Sequence, residues 1–262
     1  MGRQDQTESG RTGLRRARLL VAYDGAPFHG FAANDGVDTV VGRLSAAIAT
    51  ITRGPVQLTG AGRTDAGVHG WGQVVSVDLP ERTDLGGLVH RLNSMLGPTI
   101  AVRHAGWAAD DFDARFSALW RHYRYHVLNT PTPSPFLART AWHVRQPLDV
   151  ALMQLACDPL IGEHDFSTFC RRPKGQIDPV MVRRVLLARW SSPEPGLLRF
   201  EIRASAFCHQ MVRSIVGTLV DVGQGKRRAG DVLGMLQAKD RSAGGPVAPA
   251  HGLVLWEVGY PD

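Results

Sequence analysis

The sequence predicts an α+β protein built from two ferredoxin-like βαββαβ halves, whose antiparallel sheets meet at a central cleft. Short segments in which apolar and polar residues alternate indicate strands, and longer segments with an apolar residue every three or four positions indicate helices. These segments follow the order strand, helix, strand, strand, helix, strand, and this order occurs twice in the 262 residues. A unit of this order folds as four antiparallel strands with both helices on one face.

In the first half, capping residues mark the two helices. Asp38 or Thr39 can cap the first helix, and Asp84 can cap the second. The second helix ends at Gly97-Pro98, because glycine and then proline terminate helices. The predicted elements are strand 17–25, helix 39–52, strands 56–62 and 73–79, a helix after residue 84, and strand 100–107.

The second half repeats the pattern without visible sequence identity to the first. Its predicted elements are strand 120–128, a helix near 149–158, strands near 181–190 and at 197–204, a helix near 208–223, a short helix near 231–239, and strand 252–258. We therefore expect a disordered tail at 1–14, an N-terminal half at 15–112 and a C-terminal half at 113–262. One face of each sheet is expected to stay open, as in RNA-recognition modules.

The composition is that of a globular protein, with 44% hydrophobic and 21% charged residues. No apolar run approaches the roughly 18 residues of a membrane span, and the first residues lack the apolar core of a signal peptide. The three cysteines, Cys157, Cys170 and Cys208, are widely spaced and form no CxxC pair. We therefore expect a cytoplasmic protein without a disulfide framework or a cysteine zinc site.

The charge balance points weakly toward nucleic acid. Lysine and arginine number 30 against 24 acidic residues, the pI is about 9.7, and only three of the basic residues are lysines. The planar guanidinium group of arginine can donate two hydrogen bonds to one phosphate, so an arginine-rich basic protein is a candidate nucleic-acid binder. A GC-rich genome would produce the same arginine bias, so the charge alone does not decide the matter.

The glycine-rich segment 60-GAGRTDAGVHG-70 surrounds a carboxylate, Asp65, and a cation, Arg63. An aspartate among glycines is often only a turn residue. The segment lacks the GxxxxGK[ST] phosphate loop and joins two strands, so GxGxxG chemistry does not fit. A metal site is disfavoured because a loop does not hold Asp65 and His69 on one face. The remaining chemical interpretation is an ionised carboxylate that attacks a carbon or stabilises a sugar cation.

Three separated motifs resemble one enzyme family. The segments 62-GRTDAGVHG-70, 112-FDARFSALWRHYRY-125 and 206-AFCHQMVRSIVGTLVDVG-223 are similar to signatures of tRNA pseudouridine synthases of the TruA type. The opening segment 23–31 and the closing segment 252–262 also match in kind. The resemblance runs from about residue 17 to the end, and the motifs stand in the family's order.

The resemblance implies the pseudouridine synthase fold, with the active site in the central cleft. It implies isomerisation of uridine to pseudouridine at positions 38, 39 and 40 in the anticodon stem-loop of tRNA, on a flipped-out nucleotide. It also implies a homodimer that needs no metal and no organic cofactor. A non-catalytic RNA-binding protein and a glycoside hydrolase remain alternatives. The hydrolase would need a second carboxylate as acid, for which Asp110, Asp111 and Asp113 are available.

The resemblance also assigns roles to individual residues. Asp65 is the expected nucleophile, Tyr123 the residue packed against uracil, and Arg213 the partner of Asp65. Expected substrate or tRNA contacts are Arg63, Arg115, Phe112 and His209. Independently of the resemblance, a wider set of basic residues is a candidate for phosphate contacts, with ordinary solvated surface as the alternative, namely Arg82, Arg171, Arg172, Lys174, Lys226, Arg227 and Arg228.

Each role has a plainer structural alternative. One of Tyr123 and Tyr125 is expected to be only core, and a helical arginine such as Arg213 is usually on a solvated face. His69 is expected to be a structural hydrogen-bonding residue. The sequence departs from the family's pattern at Phe31-Ala32, where a Trp-Gln pair is expected, and at 176–178.

Overall fold

The computed structural model describes residues 13–172, 175 and 179–261. Within them the strands are β1 (Leu14–Tyr23), β2 (Thr59–Gly60), β3 (His69–Pro80), β4 (Ile100–Trp107), β5 (Trp120–Leu128), β6 (Trp142–His143), β7 (Gly162–Asp165), β8 (Val182–Glu194), β9 (Leu197–Ala204) and β10 (Leu253–Gly259). The α-helices are α1 (Val40–Thr52), α2 (Leu85–Leu96), α3 (Val150–Leu155), α4 (Met211–Gly223) and α5 (Asp231–Ala238). Short 3-10 helices cover Asp158–Leu160, Ser167–Phe169, Arg241–Ala243 and Ala250–Gly252.

The described strands form one sheet in the order β4-β1-β3-β10-β5-β9-β8-β7, with β2 added beside β3 and β6 beside β5. Within each half the first strand lies between the fourth and the third. The orders are β4-β1-β3-β2 and β10-β5-β9-β8, and all pairings within these two sets are antiparallel. This is the arrangement expected of two ferredoxin-like halves, and the predicted α+β class is confirmed.

The two halves join through a short parallel pairing of β10 with β3. Val254 lies opposite His69, and Leu255 lies opposite Gly70. Because β3 begins at His69, this junction directly follows the loop that carries Asp65. The topology therefore places that loop between the halves, where the sequence predicts the cleft.

The helices of the first half form where capping and apolar spacing agree. Thr39 caps α1 by accepting a hydrogen bond from the backbone of Gly42, and Asp84 caps α2 by accepting one from Gly86. Leu44 and Ile48 on α1, with Leu88 and Leu92 on α2, pack against β1, β3 and β4 in one core cluster.

The core of the second half surrounds α4, which is buried along most of its length. A Cβ atom on Gly217 would lie 1.8 Å from the carbonyl oxygen of Pro246. Only glycine therefore allows the segment after α5 to cross the helix at this distance. This tight packing places the segment around Ala248, whose amide donates to the Arg213 carbonyl oxygen, directly against α4.

Some predicted boundaries were wrong. Leu14 begins β1, although position 14 was assigned to the tail; residues 1–12 lie outside the described part. Strand 56–62 shrinks to Thr59–Gly60 because side chains, not a neighbouring strand, bind the carbonyl groups of Ala61 and Gly62. Strand β3 begins four residues earlier than predicted, and β6 and β7 were not predicted.

The sheet face opposite the helices carries paired aromatic and cationic side chains. The rings of Trp71 and Trp256 stack with centroids 5.8 Å apart. The Arg103 guanidinium lies 4.0 Å from the Trp71 ring, and that of Arg124 lies 3.7 Å from the Trp256 ring.

None of the described helices combines the length and the apolar character that crossing a membrane requires.

Candidate active site

Two glycines allow the loop between β2 and β3 to pack closely on the chain that follows β1. Gly30 has φ of 104°, and a Cβ atom there would lie 2.9 Å from the Thr64 carbonyl oxygen. A Cβ atom on Gly25 would lie 2.0 Å from the Val68 carbonyl oxygen. Glycine at both positions therefore allows the segment after β1 to pack directly against the backbone of the Asp65 loop.

Buried polar side chains hold the same loop from the other side. The Tyr23 hydroxyl and the Thr64 hydroxyl are 2.9 Å apart, and Gln73 Nε2 donates to the Gly62 carbonyl oxygen at 2.8 Å. Burial raises the pKa of Tyr23 to about 12, so its hydroxyl stays protonated. These contacts fix the backbone on which Asp65 stands.

The Asp65 carboxylate lies between two basic side chains. Its Oδ2 atom is 2.9 Å from Arg213 Nη1, and its Oδ1 atom is 3.3 Å from His209 Nε2. The Asp65 side chain keeps 24% of its surface exposed, so one side of the carboxylate faces open space. Such an oriented carboxylate, with a cation bound to it and an accessible face, can act as a nucleophile.

Arg213 is held in place by more than its ion pair. Its Nε atom donates to the Ala248 carbonyl oxygen at 2.7 Å, and the Ala248 amide donates to the Arg213 carbonyl oxygen at 3.0 Å. The Arg213 side chain is only 16% exposed. The structure therefore does not place it on a solvated helix face, which was the plainer alternative.

Tyr123 lies beside the Asp65 loop. Its ring is 7% exposed and packs edge-on against Phe207, with centroids 5.0 Å apart. Burial raises the pKa of the Tyr123 phenol, and the nearby charge of the Asp65 carboxylate raises it further. Tyr123 therefore contributes a neutral aromatic surface with a protonated hydroxyl.

Two neighbouring residues have structural contacts instead. The Tyr125 hydroxyl donates to the Pro249 carbonyl oxygen at 2.8 Å, and its ring is fully buried. His69 Nδ1 lies 3.1 Å from both the Gly25 amide nitrogen and Asp24 Oδ1, and its Nε2 lies 2.9 Å from the Arg139 carbonyl oxygen. These contacts tie three chain segments together near the junction of the halves.

Arg121, which the sequence analysis did not single out, makes the densest set of contacts near the loop. Its guanidinium donates five hydrogen bonds to backbone carbonyl oxygens: two to Ala61 and one each to Arg115, Ala118 and Ser205. Burial lowers its pKa from the ordinary arginine value. Its place in the motif 112–125, two residues before Tyr123, was the signal that could have identified it.

The remaining predicted substrate contacts are less closely grouped. Arg63 and Arg115 are exposed, and the Arg115 guanidinium lies 5.3 Å from the ring of its neighbour Phe116. The Phe112 ring packs 5.1 Å from that of Tyr260, with Arg18 on the same side. The structure brings Asp65, Arg213, His209 and Tyr123 together. Phe112 instead contacts Tyr260 and Arg18.

The wider basic set is scattered. Arg82 is exposed beyond the far end of β3, which spans roughly 36 Å from His69. Lys226, Arg227 and Arg228 follow the far end of α4, roughly 20 Å from its start. Arg227 pairs with Asp221 at 3.4 Å and donates to the Ala243 carbonyl oxygen at 3.0 Å, which ties two loops together.

Of the basic residues after the second 3-10 helix, Arg171 and Arg172 are exposed close to the candidate site. The Arg171 amide donates to the His209 carbonyl oxygen at 3.0 Å. Lys174 and the departure at 176–178 lie outside the described residues. Phe31, the other departure, is buried, stacks on Tyr23 and lies against Gly60, so it packs under the Asp65 loop.

Across the part of the chain that the structure describes, no group of three or more His, Cys, Asp or Glu side chains has the arrangement to hold a metal ion.

Comparison with known proteins identifies close relatives. A family model described as tRNA pseudouridine synthase matches residues 156–261. A tRNA pseudouridine synthase A from Frankia casuarinae is 44% identical over 253 residues, which cover 95% of this chain and 90% of that protein. One from Leifsonia xyli subsp. xyli is 42% identical over 268 residues, which cover 94% and 92%. Among solved structures, a Cbf5-Nop10-Gar1 complex matches at 14% sequence identity with a TM-score of 0.38. The match covers 79% of this chain and 45% of the chain in that complex.

Proposed function

The chain belongs to the tRNA pseudouridine synthase family of isomerases, and we propose that it converts uridine to pseudouridine at positions 38, 39 and 40 of the tRNA anticodon stem-loop. Asp65 is the nucleophile, and the target uridine is flipped out of its stack. The observation that carries the proposal is the oriented Asp65 carboxylate, 2.9 Å from Arg213 and next to the Tyr123 ring.

The reaction explains why a carboxylate must stand in a partly closed pocket. The bond between N1 and C1′ breaks, the uracil turns, and a bond forms between C5 and C1′. The proton on C5 leaves and N1 gains a proton, so no atom is added overall. Because uracil is both leaving group and returning nucleophile, water must be kept from C1′.

Asp65 supplies the charge that this sequence of steps needs. Attack on C1′, addition to C6 and removal of a ribose proton all require an ionised, oriented carboxylate. Arg213 and His209 each contact one of its oxygen atoms and so fix the direction of the carboxylate. The exposed side of the carboxylate is where the ribose would lie.

Tyr123 retains the base while it is detached. Flipping a nucleotide costs a few kcal/mol, and stacking on an aromatic ring returns about 1–3 kcal/mol per base. Phe207 holds the Tyr123 ring edge-on, so that the ring is already oriented before RNA binds. Arg63 and Arg115 are the exposed cations on the flanking loops that would contact the tRNA backbone.

The reaction would take place in the cytoplasm, in keeping with three unpaired cysteines.

The homodimer that the family resemblance implies is part of the proposal. Light scattering on a size-exclusion column tests it, because a mass near twice 28.5 kDa is expected. A mass of one chain at micromolar concentration would contradict it.

The decisive experiment incubates the protein with an unmodified tRNA transcript and maps pseudouridine. The wild type should convert positions 38–40, whereas Asp65→Asn should retain tRNA affinity and lose turnover. Asp38→Asn is a matched control, because Asp38 is also paired with an arginine, Arg43, but on an exposed surface. Full turnover by Asp65→Asn would refute the nucleophile assignment. Release of free uracil would favour a hydrolase, and binding without conversion would favour a non-catalytic RNA-binding protein.

A further inference from the structure

A groove of about 600 Å³ begins one residue away from the candidate active site. Gln210 lies in its wall, directly after His209, whose ring contacts Asp65. Consecutive Cα atoms are about 3.8 Å apart, so groove and site share one short segment of chain. The Arg171 amide bonded to the His209 carbonyl oxygen fixes a second wall residue to the same segment.

The lining of this groove is strongly cationic. Arg171 and Arg172 come from the chain after the second 3-10 helix, and Lys239 and Arg241 come from the chain after α5. The one carboxylate among the described lining residues is Asp240. The groove therefore offers four cations against one anion.

Although Asp165 and Asp240 partly offset the charges of Lys239 and Arg172, the groove keeps a net positive charge. Both Asp240 oxygen atoms accept hydrogen bonds from Ser242, its amide at 2.9 Å and its hydroxyl at 2.6 Å, which turns the carboxylate toward its own 3-10 helix. Lys239 Nζ is 3.5 Å from Asp165 Oδ2, yet the Lys239 side chain remains 63% exposed. Arg241 donates to the Gly245 carbonyl oxygen at 3.1 Å, and that hydrogen bond leaves its charge in place.

The side chains of the groove match a phosphate backbone better than a base. Arginine and lysine bind phosphate oxygens, while bases are held by stacking on aromatic rings. No aromatic residue occurs among the described residues that line the groove. Its ligand chemistry is therefore that of phosphodiester groups, without sequence preference.

We propose that this groove binds the phosphates of tRNA nucleotides that flank the target uridine, with Lys239 and Arg241 as phosphate-binding residues. The proposal rests on the proposed function, because the flanking nucleotides must leave the active site along one of its walls. Lys239 and Arg241 thereby extend the RNA contact from α4 to the chain after α5.

The test measures binding of an unmodified tRNA transcript between 50 and 200 mM salt for Lys239→Gln, Arg241→Gln and the double variant. Each lost phosphate contact lowers the slope of log affinity against log salt by roughly 0.7–0.9. Across this fourfold salt range, the loss of affinity should therefore shrink about threefold for each single variant and about tenfold for the double variant. Lys239→Glu should weaken binding further than Lys239→Gln.

Arg53→Gln is the matched control. Arg53 is an exposed cation with φ of 59° at the C-terminal end of α1, and Lys239 stands with φ of 52° at the C-terminal end of α5. Helix α1 starts beside the Asp65 loop, where the Val40 amide binds the Gly30 carbonyl oxygen. Its 13 residues carry Arg53 roughly 20 Å away. Arg53→Gln should therefore keep the wild-type salt slope.

Arg241→Lys separates charge from structure, because it keeps the cation and changes the hydrogen bond to Gly245. It should retain the wild-type slope, and thermal melting should show each variant folded. Slopes of Lys239→Gln and Arg241→Gln equal to that of Arg53→Gln would overturn the proposal. If the wild type forms no pseudouridine, the proposed reaction fails, while the salt slopes still decide whether the groove binds tRNA.

Discussion

Replacing Arg121 tests how far the Asp65 loop depends on one buried guanidinium. Arg121→Met keeps most of the side-chain volume and removes five hydrogen bonds to four backbone carbonyl groups. A buried acceptor left without a partner costs about 1–3 kcal/mol. Because some of these carbonyl groups can reach water, we expect a total loss of about 3–5 kcal/mol, a large part of the roughly 5–15 kcal/mol that stabilises a folded protein.

The same variant should also slow the reaction. Arg121 binds the Ala61 carbonyl oxygen twice, four residues before Asp65, so its loss frees the backbone that aims the carboxylate. A misplacement of about 1 Å can cost on the order of a hundredfold in rate. Arg121→Lys should be intermediate in both respects, because an ammonium has three donors and lacks the planar fork.

Urea denaturation measures the first effect, and single-turnover conversion of a tRNA transcript measures the second. Arg91→Met is the control, because Arg91 is exposed and donates to one carbonyl group within its own helix at 3.3 Å. It should change stability by less than about 0.5 kcal/mol. If Arg121→Met unfolds at the same urea concentration as Arg91→Met and converts uridine as fast, the reasoning is refuted.

Two further predictions concern individual side chains of the sheet, the buried Tyr23 and the partly buried His126. Burial, reinforced by Arg199 and Arg124, lowers the pKa of His126 to about 4, so the folded protein leaves His126 neutral where the unfolded chain takes up a proton. The resulting contribution to the free energy of unfolding is present above the unfolded pKa of about 6.5 and is lost as pH falls toward 4. Between pH 7 and 5, the free energy of unfolding measured in urea should therefore fall by about 1–2 kcal/mol more for the wild type than for His126→Gln. Equal decreases for the two proteins would contradict this prediction. Tyr23→Phe removes the hydroxyl bonded to Thr64 and should lower the free energy of unfolding by about 0.5–1.5 kcal/mol, an effect that an unchanged urea midpoint would disprove.

Much of the fold was predictable because its signals are local. Helix α1 and strands β4 and β5 lie within a residue of the predicted bounds, since apolar periodicity and the caps at Thr39 and Asp84 act over a few neighbouring positions. Strand β2 was overestimated because its later carbonyl groups bind Gln73 and Arg121, which no pattern near residue 60 indicates.

By itself, the sequence determined the order of elements and, through three separated motifs, the family and the residues around which a site forms. The family resemblance already led us to expect the contact of Arg213 with Asp65 across 148 positions. Only the tertiary structure decided that Arg121 binds the carbonyl groups of the loop and that Lys239 lies in the groove beside Gln210. Local preferences extend over one or two turns of chain. Contacts between distant side chains depend instead on how the sheet closes, here through the short parallel pairing of β3 with β10.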